Sequence, residues 1–229
     1  MKLQKAFSKG YNFLVAYVYV REKTQTYFND AGTFFNQMVW QDSDQSRHHL
    51  TGASTYEVPV GRGRTYLSKI PKVADYLIGG WKLTGMGTFL SGSYPRFGNL
   101  IVTGNPCVAN PTRSNWFNTT AFAPIPANTY VLRSNPWQYD CLKSPSFMNI
   151  DASLSKNFNF TEKIHTELKM NAYNALNKLN LGPPNTDVTS SQFGTAMFQG
   201  SPGGTYGSGQ GASTFSSGRQ IELGLKIIF

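Results

Sequence analysis

Few residues of this 229-residue chain could do chemistry: two cysteines, three histidines and twelve acidic side chains. Cys107 and Cys141 lie in one long tract rich in Asn, Pro, Trp and Tyr. Their simplest chemistry is a single disulfide, which implies an oxidising compartment; two free buried thiols are the alternative. His48 and His49 are adjacent, and on a strand adjacent side chains point opposite ways. They cannot readily chelate one metal, and only His165 remains elsewhere, so they are expected to hydrogen-bond at a strand end rather than bind zinc. The Asp42-Ser-Asp44 pair hints at calcium, yet neither the Gly nor the bidentate Glu of an EF-hand loop follows, so a solvated acidic loop is expected. Gly207, Gly209 and Gly211 have the spacing of a phosphate loop without its strand, helix or Lys-Ser/Thr ending. No Ser/His/Asp order with a supporting motif occurs, and the carboxylates are dispersed. The expectation is a non-enzymatic protein with no cofactor.

The elements that would position these residues carry the stronger signal. From Gln220 to Phe229 the chain alternates without a break: Ile221, Leu223, Leu225, Ile227 and Phe229 against Gln220, Glu222, Gly224 and Lys226. A two-residue period is that of a strand with one apolar and one polar wall. The stretch from Met148 to Phe160 repeats it, with Met148, Ile150, Ala152, Leu154, Phe158 and Phe160 on one side, Asp151 and its polar neighbours on the other, and Lys156 alone breaking the apolar set. After a polar turn at Thr161 to Lys163, Ile164, Thr166, Leu168, Met170 and Ala172 alternate with His165, Glu167, Lys169, Asn171 and Tyr173. Such a charged second face is a poor core for a soluble sandwich and a good lining for a water-filled lumen.

In chain order, a basic segment from Lys2 to Ser8 turns at Lys9-Gly10 into Tyr11 to Arg21, a strand apolar on both sides. Glu22 to Arg47 reads as a long loop, and His48-His49 opens a strand over Leu50 to Val58. Between Pro59 and Gly80, Ile70, Val73, Ala74, Leu77 and Ile78 have helical spacing. This predicts one short helix near 68–78, with Ser68 as cap and Gly79-Gly80 as stop, packed against the rim of the sheet. Trp81 to Ser91 is a further strand. The tract 92–146 is long enough to be functional or a folded excursion of its own, and 177–218 is a Gly/Ser-rich loop. The result is about seven strands whose connections alternate: short near Lys9-Gly10, 61–80 and 161–163, long at 22–47, 92–146 and 177–218. Short turns on one rim and long loops on the other mark an all-β, antiparallel, up-and-down transmembrane β-barrel segment, with periplasmic turns and extracellular loops.

Composition agrees. Only 14% of residues are charged while 14% are aromatic, which suits a β-rich chain with large uncharged surfaces. No apolar window is long enough for a transmembrane helix, and Met1 to Gly10 lacks the apolar region of a signal peptide; a barrel needs neither helix to cross a membrane. The expectation is that residues 1–229 are the C-terminal part of a longer exported protein, without its signal peptide or plug domain. The net charge of +9 raises nucleic acid as a partner, but the Lys and Arg residues are scattered outside any nucleic-acid module, and none is expected.

Several phrases are also familiar in order: Arg47-His-His-Leu-Thr-Gly52, Tyr56-Glu-Val-Pro-Val-Gly-Arg-Gly63, Gly79-Gly-Trp-Lys-Leu-Thr-Gly85, Asn171-Ala-Tyr-Asn-Ala-Leu-Asn-Lys178 and Gly218-Arg-Gln-Ile-Glu-Leu-Gly224. Over nearly its whole length the chain resembles the C-terminal barrel of TonB-dependent outer-membrane receptors, of the Oar-like, carboxypeptidase-regulatory-domain branch. The resemblance implies a barrel of about 22 strands, plugged by an N-terminal domain and importing a substrate in the bacterial outer membrane. It implies as partners the rest of the receptor (plug and N-terminal strands), the barrel-assembly machinery through Phe229, and the TonB complex through the N-terminal parts alone.

Expected sites follow. Ile150, Leu154, Leu168, Leu223, Leu225, Ile227 and Phe229 should face outer-membrane lipid; Asp151, Glu167, Lys169, Glu222 and Lys226 should face the lumen; and a Cys107–Cys141 disulfide should staple the longest loop. A surface adhesin and a soluble carbohydrate-binding β-sandwich are the alternatives.

Overall fold

The computed structural model describes residues 1–27, 38–159, 165–198 and 218–229. The turn expected at Thr161 to Lys163, with Phe160 and Ile164, and the glycines at 207, 209 and 211 lie outside these residues.

Alternating residues, freed of helix signals, pair as neighbours along the chain. Strands β1 (Lys2–Ser8) and β2 (Tyr11–Tyr19) form a hairpin whose turn residues Lys9 and Gly10 both take positive φ, 54° and 81°. That is the backbone a two-residue hairpin needs to match strand twist. The region expected to be loop at 22–47 holds its own hairpin, β3 (Lys23–Tyr27) with β4 (Met38–Asp42). Next comes β5 (His48–Glu57), opened by His48 and His49, which pair with Tyr19 and Val18.

Helix α1 (Lys72–Ile78) is shorter than expected. Ser68 does not cap it. Pro71 occupies the N-cap with extended ψ, and a proline disfavours helical conformation in the residue before it, which shuts Ile70 and everything upstream out of the helix. Strand β6 (Trp81–Leu90) follows, then the short pair β7 (Ile101–Val102) and β8 (Phe122–Ala123). The long strand β9 (Phe147–Asn159) is followed by β10 (His165–Tyr173). Then come the small pair β11 (Leu181–Pro184) and β12 (Ala196–Phe198), and last β13 (Gln220–Ile228).

Seven of these strands make one antiparallel sheet in the order β1-β2-β5-β6-β9-β10-β13. Apart from the inserted hairpins, each strand neighbours the next along the chain, an up-and-down meander. The sheet is open, with β1 and β13 as its edges.

Directly opposed residues of an antiparallel pair share a face, so the register sorts the side chains. One row runs Leu223, Met170, Leu154, Leu83, Tyr56, Tyr11; another runs Ile150, Gly87, Gly52, Val15, Leu3; a third joins Leu225, Leu168, Lys156 and Trp81. Ile221 and Ile227 belong to the same face. The opposite face carries Asp151, Glu167, Lys169, Glu222 and Lys226, with Glu167 directly opposed to Lys226.

The buried core does not lie under this sheet. It sits in the long connections at one end, where Phe97, Leu100, Phe117, Ala121, Phe122 and Leu142 form a cluster with Val188 and Phe193 packed against it. The tract 92–146 is therefore a folded unit rather than a plain loop. Most of the apolar sheet face stays uncovered: Leu223 is 74% and Leu225 66% exposed. A continuous apolar surface across the whole sheet is far more than a water-soluble monomer presents.

Candidate binding vestibule at the loop rim

At the loop end, the polar face finishes in the row Val18, His49, Leu90, Phe147. Above it the long connections close into a vestibule of about 540 Å³, roofed by Tyr94, Arg96, Pro145 and Pro183. The 92–146 connection leaves the sheet beside the point where it returns. Ser144 N–H donates to the Ser93 carbonyl at 2.8 Å and the two hydroxyls meet at 3.1 Å, clasping the root of the 92–146 unit.

Gly92 makes the clasp possible. A Cβ there would lie 1.9 Å from the Ser144 carbonyl oxygen. Gly92→Ala is thus expected to open this root, at about 1–3 kcal/mol for a forced backbone shift. Increased protease nicking within 92–146, with the sheet intact, is the readout; unchanged protection would show that the clasp has room to spare.

Charge at the mouth is paired and stacked. Asp42 accepts from Arg47 at 2.8 Å and lies 3.8 Å from Arg21, while Asp44 lies 3.5 Å from Arg96. The Asp42-Ser-Asp44 pair therefore serves ion pairs with arginine. Among the described residues no group of three or more His, Cys, Asp or Glu is placed to hold a metal ion. The Arg47 guanidinium lies 4.4 Å over the buried Tyr94 ring, and Arg133 4.6 Å over Trp137. His48 Nδ1 meets the Tyr17 hydroxyl at 2.7 Å and His49 Nε2 the Ser46 carbonyl at 2.8 Å, the strand-end hydrogen bonding expected of them.

Behind the vestibule the loop core is an aromatic stack. Phe97 packs against Phe117, Phe122 and Tyr139 at 5.3, 5.0 and 5.4 Å, and Phe193 reaches Phe117 at 5.1 Å. The Cys107–Cys141 disulfide is present, closing the unit around this stack. Trp116 N–H to Gly194 O and Ala196 N–H to Arg113 O, each 2.8 Å, tie the 181–198 segment into it.

Burial pushes the Tyr139 hydroxyl above its ordinary value of 10.0, partly opposed by Arg133. A raised phenol favours the folded state while protonated, so its contribution is complete below pH 10.0 and is lost as pH climbs through the raised value. Alkaline titration should loosen the loop unit, and Tyr139→Phe should remove that step; amide exchange in 92–146 reads both.

The polar-face residues differ in use. Asp151 accepts from Asn149 Nδ2 and Asn174 N–H, both at 2.9 Å. Asn174, at φ 48°, exchanges two 3.0 Å hydrogen bonds with Lys178. The phrase from Asn171 to Lys178 thus ends β10 at Tyr173 and turns from Asn174 onward, anchored on Asp151. Glu222 accepts from Asn171 at 3.2 Å and Tyr173 at 3.1 Å. Lys156, which broke the alternating pattern, is buried and donates to the Gly79 carbonyl.

The vestibule escaped sequence reasoning because its lining comes from three separate connections. The aromatic density of 92–146 was the one available signal, and aromatic residues in a loop imply something to pack against.

The family of outer membrane beta barrel domains matches residues 1–221 of the chain. No curated protein and no solved structure matches it. An all-β antiparallel meander with one apolar face agrees with that match, which spans nearly the whole sequence: the chain belongs to the outer membrane beta barrel domain family and resides in the bacterial outer membrane.

Proposed function

We propose that this chain is the C-terminal part of the barrel of a TonB-dependent receptor of the Oar-like branch, which takes up a substrate captured by its surface loops. The observation that carries the reading is the sheet itself, apolar on one face and charged on the other, with β1 and β13 as open edges and the three longest connections, at 20–47, 91–146 and 174–219, leaving from one end.

In this reading Ile150, Leu154, Leu168, Leu223, Leu225, Ile227 and Phe229 face lipid, and Asp151, Glu167, Lys169, Glu222 and Lys226 face the lumen. The vestibule is the outer mouth, where a substrate meets His49, Tyr94 and Arg96 before the pore. The mixed lining suits recognition rather than catalysis. The edges β1 and β13 are completed by the remaining strands of the receptor. Phe229 engages the assembly machinery, and the TonB complex acts through the plug.

The sheet alone should not transport. An open edge in hydrocarbon leaves unpaired backbone groups that cost several kcal/mol each, and closing seven strands on themselves would narrow the lumen. Reconstituted in liposomes, the 229-residue chain is expected to give no selective uptake, and the receptor with all its strands and plug to give uptake dependent on the TonB complex. Selective uptake by the chain alone would overturn the proposal.

A further inference from the structure

The connection between β5 and β6 leaves the sheet at the end opposite the vestibule and folds over the apolar face. Two contacts fix it there. Trp81 and Lys156 share a row of that face; the Trp81 indole N–H donates to Leu77 O at 3.1 Å, and the Lys156 amine donates to Gly79 O. Helix α1 therefore hangs outside the sheet, level with the aromatic residues Tyr11, Tyr56 and Trp81.

Once there, the helix buries nothing. Val73, Tyr76 and Leu77, spaced as one helical face, are turned outward, with Val73 77% and Leu77 71% exposed. Tyr66 and Leu67 are exposed beside them. The same connection, 58–80, carries four basic side chains, Arg62, Arg64, Lys69 and Lys72, all exposed, against one acidic residue, Asp75. That carboxylate is turned inward: its Oδ1 accepts the Arg62 backbone N–H at 2.7 Å. Among the described residues, only Arg64 of the basic set has an acidic partner, Glu57 at 3.4 Å.

We propose that residues 62–78 form a membrane-surface anchor, with Val73, Tyr76 and Leu77 inserted among the acyl chains at the interface and Arg62, Lys69 and Lys72 on anionic phospholipid headgroups. Apolar residues beside a basic cluster at the edge of a lipid-facing sheet match an acidic lipid surface in both hydrophobicity and charge. This rests on the apolar sheet face being the lipid face. Gly61, at φ 129° with Gly79 Cα 2.9 Å from where its Cβ would be, folds the connection tightly enough to bring the basic residues beside the helix.

The test uses the full chain in vesicles of lipid brominated near the headgroup, either containing phosphatidylglycerol or made of phosphatidylcholine alone. Leu77→Trp reports on the anchor and Leu223→Trp on the sheet face, each read against the parent chain. Leu77→Trp fluorescence should be quenched in the anionic vesicles. The quenching should fall roughly twofold or more in phosphatidylcholine, or when Arg62, Lys69 and Lys72 are replaced by Gln. A quenched Leu223→Trp beside a water-accessible, unquenched Leu77→Trp would overturn the anchor while leaving the sheet assignment standing. Quenching of Leu77→Trp indifferent to lipid charge and to the Gln substitutions would overturn the anionic preference. Concentration-dependent shielding of Leu77→Trp without bromine quenching would reveal a second copy on this surface instead. Loss of quenching at Leu223→Trp would remove the foundation of both.

Discussion

Ile150→Arg should destabilise the membrane-inserted protein by about 2–4 kcal/mol, the cost of a guanidinium near the bilayer midplane on the lipid face of a barrel. Ser153→Arg, three residues along the same strand, should cost far less. Ile150 is opposed to Gly87 and Ser153 to Thr84, so the two positions lie on opposite faces near the middle of the sheet. The aromatic residues bracket this level. From Trp81 to Phe89, both on the apolar face, the strand advances about 27 Å. Tilted by the roughly 35–45° of barrel strands, that run covers about 19–22 Å of the roughly 25 Å apolar band of such proteins. Denaturant titration of the inserted protein in lipid vesicles would measure both variants. Equal costs would mean that water, not hydrocarbon, touches the Ile150 face.

Removing the disulfide by Cys107→Ser with Cys141→Ser should cost the loop unit about 3–4 kcal/mol on the chain-entropy model. The bridge joins residues 34 apart in sequence, and its absence enlarges the unfolded ensemble of a unit held otherwise by its aromatic cluster and a few hydrogen bonds such as the Ser93–Ser144 clasp. The loss should be local. Amides donating within the unit, such as Phe97 N–H to Trp137 O at 2.9 Å and Leu142 N–H to Tyr139 O at 3.0 Å, should exchange faster, while those of β6 and β9 keep their protection. If the sheet loosened in step with the loops, the two would form one cooperative unit, and the staple would act on the whole protein.

The sheet was legible in the sequence because a strand with two different environments must alternate, and alternation survives without tertiary information. Gln220 to Ile228 and Phe147 to Asn159 show this most clearly. Lys156 was visible as a break in the pattern, but its partner, the Gly79 carbonyl, comes from a connection far away in sequence. The hairpin of β3 and β4 was invisible because its strands are short and lack a sustained period. Helix α1 was placed correctly by its apolar spacing and too early by its cap, since Pro71 outweighed Ser68. Its apolar residues suggested packing against the rim, yet Val73 and Leu77 point away from the protein. The vestibule depends on Ser46, Tyr94, Pro145 and Pro183 meeting, a conjunction that no local pattern encodes.

Spin labels placed singly along β13, from Ile221 to Ile227, test the central claim most directly, read by collision with oxygen, which concentrates in hydrocarbon, and with a water-soluble nickel chelate. If the apolar face lies against lipid, the two accessibilities will oscillate with a two-residue period and in opposite phase, oxygen highest at 221, 223, 225 and 227 and nickel highest at 222, 224 and 226. If both reagents rise and fall together, the apolar face is in water or packed against protein, and the membrane-barrel account of this chain is wrong.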